Sequence, residues 1–275
     1  MPNIRKNIDK KELKVLYWQK YWSAHKIATK FDCTYSTIIN RLKEYKIPLK
    51  NSSLARQRYL KKDFSGDGVE KAYLLGFRIG DLNVYKTNPR AETVIVRCHT
   101  TDKNQIILIK NCFKNYGKVT ISERKGHFHI NCFLNKSFSF LLKKFKKPPI
   151  NVKITKEIFA FIAGYTDAEG NFILNQGKAR FKIDCYDKGV LFWIASKLKS
   201  QGIKHKIRQL GEKDKEYYNG RKLNSDLWRL NINFANDLLN FISEIIKHSK
   251  HKKRISQMKI AKNNVLQRLA QGTIK

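Results

Sequence analysis

Two stretches of this chain, VEKAYLLGFRIGDL and KEIFAFIAGYTDAEG, constrain its packing more than any other feature. Each reads as an apolar helix with small residues four apart, followed at once by an acid. Gly76 and Gly80 share a face in the first, and Gly164 and Ala168 share one in the second. Small residues at that spacing let two helix backbones approach closely, whereas bulky ones hold them apart. Asp81 follows Gly80 and Glu169 follows Ala168. If the helices pack on these faces, the two carboxylates meet at one end of the seam.

Such a meeting is unfavourable unless something compensates it. Carboxylates forced together repel, and a helix C-terminus is already electronegative. Divalent cations would resolve the conflict. Mg²⁺ takes one or two carboxylates plus water and phosphate oxygens, so Asp81 and Glu169 are the candidate metal ligands, with Mn²⁺ as a substitute. Ions that act together on a phosphodiester sit only about 4 Å apart, which demands close helices.

The sequence around these helices is duplicated. After each come two alternating segments, a helix, two more alternating segments and a final apolar run, giving αββαββα twice. GKVTI corresponds to GIKHKI, and HINCFLNKSFSFLL to RLNINFANDLLNFI. The expected fold class is α+β, two copies of one unit related by a pseudo-twofold axis. The alternation sorts each strand into an apolar and a polar face. Arg97, His99, Lys118, Arg124, His127 and His129 line the polar face of the first copy. Arg180, Lys182, Lys204, Lys206, Arg208, Arg229 and Asn231 line that of the second. A wet face so rich in Arg, Lys, Asn and His can bind phosphate and read base edges. Two such faces side by side make a long basic groove.

Charge points the same way. Lys and Arg number 57 against 22 Asp and Glu, a formal +35 spread along the whole chain. A field of that sign concentrates polyanions, above all nucleic acid. The five cysteines are single and widely spaced, which argues against a disulfide framework or a zinc site and for a reducing compartment. No signal peptide and no apolar run of membrane-spanning length is evident, so a secreted or membrane protein is not expected.

Ahead of the duplicated part lie three short helical segments. SAHKIATKF and TYSTIINRLKEY begin at cap residues Ser23 and Thr34 and are joined by the tight turn DCT. This is a helix-turn-helix pattern, with Tyr35, Ser36, Thr37, Asn40 and Arg41 at the positions that would face DNA. Asp32 occupies the turn position that often takes Gly. The expected layout is a helix-turn-helix domain over 1–50, a basic linker over 51–68, one repeat over 69–150 and a second over 151–275, the last ending in a basic helix.

LLGFRIGDL and IAGYTDAEG resemble the two signature motifs of single-chain LAGLIDADG homing endonucleases, and the resemblance extends over about residues 69–250. It implies a saddle of two sheets in the major groove of a long double-stranded DNA site. It also implies Mg²⁺-dependent double-strand cleavage by a monomer, in the cytoplasm or an organelle. The metal-binding acid of each motif is carried over to Asp81 and Glu169, and basic active-site residues to Lys147 and Lys253. The first motif departs from the family pattern at Arg78, Ile79 and Leu82; Asp167 in the second reads as structural. The alternatives are a maturase acting on intron RNA and a DNA-binding transcription regulator whose nuclease site is inactive.

Overall fold

The computed structural model describes residues 7–50, 59–143, 155–216 and 222–274. The first segment holds helix α1 (Lys10–Lys14), continued by a π turn over Val15–Gln19, then α2 (Ala24–Lys30) and α3 (Tyr35–Glu44). Ser23 and Thr34 accept hydrogen bonds from the amides of Lys26 and Thr37, which starts α2 and α3 at the cap positions. Asp32 takes a left-handed conformation, φ 47°, in the turn between them. Ile8, Leu13, Leu16, Ile27, Ile38 and Leu42 form a core of their own, separate from that of the rest of the chain.

The duplicated part begins with α4 (Gly68–Gly80), β1 (Asn83–Tyr85), β2 (Val94–Thr100), α5 (Lys103–Phe113), β3 (Lys118–Arg124) and β4 (His127–Leu134). Its second copy is α6 (Thr155–Glu169), β5 (Gly170–Asn175), β6 (Lys178–Cys185), α7 (Lys188–Ser200), β7 (Lys206–Gly211), β8 (Leu227–Ile232) and α8 (Ala235–Ile245). A basic helix, α9 (Lys252–Ala270), follows. Both sheets are antiparallel and four-stranded with matching orders, β1-β2-β4-β3 and β5-β6-β8-β7. The α+β fold with two like repeats is therefore as the duplication predicts. No helix among the described residues is long and apolar enough to cross a membrane.

The copies differ at their ends. In the second, Leu238, Phe241, Ile242 and Ile245 give α8 an α-helical apolar stripe. In the first, the corresponding segment is a 3₁₀ helix over Lys136–Leu141. There Asn135 Oδ1 accepts from the Ser137 amide at 2.9 Å, and Ser137 Oγ accepts from the Phe64 amide at 2.8 Å. These local bonds compete with an α-helical ladder. The tighter repeat turns Phe138 and Leu141, three apart, into the core together.

At the centre, α4 packs against α6 through backbone. A Cβ built on Gly76 would collide with the Phe161 carbonyl oxygen and lie 2.9 Å from the Tyr165 amide nitrogen. One built on Gly164 would collide with the Tyr73 carbonyl oxygen and lie 2.9 Å from the Phe77 nitrogen. The contact is reciprocal, as a pseudo-twofold seam requires. Further along, Gly80 abuts Ala168.

Arg78 and Leu82, two of the motif departures, belong to one local arrangement. Arg78 is 5% exposed; its Nε donates to the Leu141 carbonyl at 2.9 Å and its Nη1 to the Leu82 carbonyl. Leu82 itself is in the core. The guanidinium thus ties the turn after α4, which carries Asp81, to the end of the 3₁₀ helix.

Candidate active site and DNA-facing surface

The two acids lie at the same end of the seam. A Cβ on Gly80 would be 3.2 Å from Glu169 Cγ, so the last turn of α4 rests against the Glu169 side chain, and Asp81 is the next residue, the C-cap of α4. Gln105, buried in the first turn of α5, donates from Nε2 to Asp81 Oδ2 at 2.6 Å. Burial raises the Asp81 pKa above the ordinary value; the Gln105 hydrogen bond and the charges of Arg254 and His251 offset part of that rise. Glu169 opens instead onto a concavity of about 620 Å³, lined also by Asn171, Lys182, Asp184, Lys253, Arg254 and Gln257. The two half-sites are therefore unlike: one acid is held from within the core, the other faces a polar hollow.

Helix α9 reaches this hollow because Asp167 fixes its start. The Asp167 carboxylate is 1% exposed. It accepts from Tyr73 OH at 2.7 Å, from the backbone amides of Lys250 at 2.7 Å and His251 at 3.0 Å, and from the Ser249 hydroxyl. One side chain thus joins α6, α4 and the segment leading into α9. Asp167→Asn keeps the shape but loses acceptor capacity against four donors. It is expected to cost about 1–3 kcal/mol, read as a lower midpoint in urea unfolding.

Arg254 is the cation that α9 delivers. Burial lowers its pKa, and the carboxylates Asp167, Asp81, Asp102 and Glu169 oppose that shift. Its Nη1 donates to Gln257 Oε1 at 3.0 Å, while its Nε is buried without a hydrogen-bond partner. Lys253 lines the same hollow but leans towards the first repeat, with Nζ 3.9 Å from Asp102 Oδ2. His251 Nε2 is also 3.9 Å from Asp102. Burial pushes the His251 imidazole below its ordinary value, which weakens it as a charged partner for Asp102. Lys147 falls outside the described residues. Among the described residues no group of three or more His, Cys, Asp or Glu is placed to hold a metal. The donor set at the seam is a pair of carboxylates, which suits a hard ion that draws its remaining oxygens from water and phosphate.

The polar strand residues form cross-strand rows. In the first sheet His99 sits opposite His129, with ring centroids 4.3 Å apart, and Arg97 sits opposite Asn131, bonded Nε to Oδ1 at 2.9 Å. Lys118 is opposite Phe133; Arg124 and His127 flank the hairpin tip. In the second sheet Lys182, Asn231 and Lys206 make one row, and Asp184, Arg229 and Arg208 the next. Arg180 is opposite Ile173. Lys204 precedes β7, and its amide donates to Asp237 at 2.6 Å.

Arg229 is paired with a carboxylate on the neighbouring strand. Its Nη2 donates to Asp184 Oδ2 at 2.6 Å and its Nε to Oδ1 at 2.5 Å. Burial pushes the Asp184 carboxyl up, but the bonds and charge of Arg229, with Lys182, outweigh it and hold the pKa below the ordinary range.

In the first domain Tyr35 is 45% exposed and stacks on His25 at 4.5 Å. Ser36 and Asn40 are exposed beside it, and Thr37 and Arg41 are half-buried. Arg41 pairs with Glu44 at 2.6 Å.

Sequence reasoning missed Gln105, Arg254 and Gln257. Arg254 was detectable: it lies on the face of Met258, Ala261 and Val265, the buried stripe of α9. Gln105 carried no such signal, because a single polar residue in an amphipathic helix does not announce that it points inward.

Two four-stranded repeats joined through two glycine-lined helices, each followed or ended by a carboxylate, make up the frame of the site. Residues 156–246 match the family described as LAGLIDADG-like domain. The first half repeats the strand order of that domain, in keeping with the resemblance of the two nonapeptides. No curated protein matches the chain in sequence. Among solved structures, I-DmoI in complex with DNA and Ca is 21% identical, with 65% of this chain and 90% of that chain covered and a TM-score of 0.48. The homing endonuclease I-WcaI bound to its DNA recognition sequence is 15% identical, with 69% and 86% covered and a TM-score of 0.48. Full-length DUF199/WhiA from Thermatoga maritima is 15% identical, with 75% and 63% covered and a TM-score of 0.47.

Proposed function

We propose that this protein is a site-specific DNA endonuclease that acts as a monomer and makes a Mg²⁺-dependent double-strand break in a long duplex target. The observation that carries the reading is the placement of Asp81 and Glu169 at one end of a seam closed by Gly76, Gly164 and Gly80. Residues 1–50 act as an added DNA-reading domain, 51–68 as a linker, 69–150 and 151–275 as the two halves of the nuclease. It works where duplex DNA is, in the cytoplasm or an organelle, and is not secreted.

Divalent ions held by the two carboxylates would supply an activated water and neutralise charge developing at the phosphodiester. The chain's own groups prepare the site. Gln105 fixes the Asp81 carboxylate by its hydrogen bond. Arg254, held in place through Asp167, balances the pair of acids and offers a cation to the phosphate. Lys182 and Lys253 line the hollow beside Glu169 and draw the DNA backbone into it. The rows of Arg97, Asn131, Lys182, Asn231 and Lys206 read the grooves to either side.

A second reading has one observation in its favour. Arg254 lies near both acids and is itself a counter-ion for them, so a protein that binds DNA without cutting it is also served by this site. Incubating the chain with Mg²⁺ and plasmid DNA carrying its selected target separates the two: cleavage supports the nuclease, and binding without cleavage supports the regulator. Binding to intron RNA in place of duplex would support a maturase.

The DNA-facing rows also set the salt dependence. Each phosphate neutralised contributes a slope of about −0.9 to log K against log salt. With many Lys and Arg engaged, affinity measured by filter binding is expected to fall steeply with salt. A slope shallower than about two phosphates' worth would remove the basic rows as the contact surface.

A further inference from the structure

The linker between the first domain and the nuclease halves is anchored at both ends. At its start, Lys50 is 9% exposed and its ammonium sits in an aromatic cage, 4.4 Å from the Tyr17 ring and 4.6 Å from the Tyr21 ring. The ammonium also donates to the Trp22 carbonyl at 3.3 Å, and the Lys50 amide donates to Tyr17 OH at 3.1 Å. The chain therefore leaves the first domain at a fixed point.

It arrives at another fixed point, on the polar face of the first sheet. Lys118 Nζ lies 3.9 Å over the Tyr59 ring, and the Tyr59 and Phe133 rings are 6.5 Å apart. Lys61 bonds Thr93, just ahead of β2, and the Lys62 amide donates to the Tyr116 carbonyl at 2.9 Å. Phe64 then enters the core against Tyr116, Phe138 and Phe140. The chain thus runs from the polar face, around one end of the first repeat, to the start of α4.

Strand register says which end this is. Asn83 pairs with Arg97, so the position of Asp81 is level with His99 and its partner His129. Phe133 lies four residues along β4 from His129, about 14 Å away from that level at about 3.4 Å per residue. Tyr59 is thus at the outer end of the first half-groove. Nine peptide steps separate Lys50 from Tyr59, and a fully extended chain spans at most about 3.3–3.6 Å per residue. The tether is limited to about 30 Å, short of one DNA turn of about 34–36 Å. Reaching past the second repeat would use about 28 Å merely to pass from one outer end to the other.

We propose that the helix-turn-helix domain reads duplex DNA immediately beyond the first repeat's half-site, at a spacing fixed by the Lys50 and Tyr59 anchors, so that the complete target is asymmetric with one additional block on that side. This rests on the reading of the two sheets as a DNA-binding groove, and it adds the partner and position of the first domain.

The test is selection of a randomised duplex library on the full chain, without Mg²⁺, followed by sequencing. The expected result is a core consensus plus one extra block within about one helical turn. The combined change Thr37→Ala with Asn40→Ala should lose the extra block and keep the core. Arg97→Ala should relax the half-site next to the block, and Lys206→Ala the half-site away from it. Tyr59→Ala frees the tether and should broaden the spacing between block and core while leaving both sequences intact. An extra block beside the half-site that Lys206→Ala relaxes, a core with no extra block, or a spacing indifferent to Tyr59→Ala overturns the inference. Absence of any core consensus overturns the sequence-specific groove instead, so the two failures are distinct.

Discussion

Replacing Gly76 or Gly164 by Ala is expected to destabilise the protein at the upper end of the range for overpacking, about 1–3 kcal/mol, or beyond it. It should also abolish Mg²⁺-dependent cleavage. The reason is what each new methyl would meet. At Gly76 it meets the Phe161 carbonyl and the Tyr165 amide; at Gly164 it meets the Tyr73 carbonyl and the Phe77 amide. These are backbone atoms of the facing helix, with no flexible side chain to swing aside. Room can come only from moving α4 and α6 apart, which lengthens the distance between the groups at the end of the seam. Ser256→Ala, on the exposed side of α9, is the control and should stay within about 0.5 kcal/mol of the parent. Urea unfolding of the three variants measures the stability arm, and plasmid cleavage by the protein that remains folded measures the other. If Gly164→Ala unfolds and cuts like the parent, close approach of the helices is not what the glycines are for.

Much of this arrangement was legible beforehand because the relevant signals are periodic. Glycines four apart state which faces of two helices can touch, and alternation states which strand residues face outward. The duplication then places one half opposite the other. What the sequence did not disclose is where single polar side chains point. Gln105 looks like any residue in the first turn of a helix, yet it bonds to Asp81. Arg254 is hidden at the end of a run of five basic residues from Lys250, where charge says little about direction. The alternation places Arg229 on the outward face, and it does not show that Asp184 one strand away takes its Nε and Nη2 in a bidentate pair. The duplication predicts a helix like α8 at the end of the first repeat, but a 3₁₀ helix forms there, because Ser137 and Asn135 make their bonds with the linker and with each other. Such pairings depend on distant segments meeting, and no local window contains them.

The second large effect concerns the acids themselves. Asp81→Asn and Glu169→Gln each change one carboxylate to an amide of nearly the same shape, so the fold and the DNA-facing rows should persist. Neither side chain takes part in the Asp167 junction that holds α9. What is lost is the anionic charge that would bind a hard divalent ion. Loss of a single charge-stabilising group commonly lowers turnover about 10²–10³-fold, and loss of a metal ligand should do at least as much. DNA binding in the absence of divalent ions should be unchanged or slightly tighter, since a negative charge beside the phosphate has gone. Sequence-specific binding with unaltered affinity but no cutting would separate the acids' role from that of the basic rows.

The most direct measurement is therefore conversion of a supercoiled plasmid bearing the selected target, with Mg²⁺, by the parent chain and by these two variants. The account predicts linear product from the parent, none without a divalent ion, and no linear product from either variant. Linear product from Asp81→Asn or Glu169→Gln at the parental rate, or none from the parent, would contradict it.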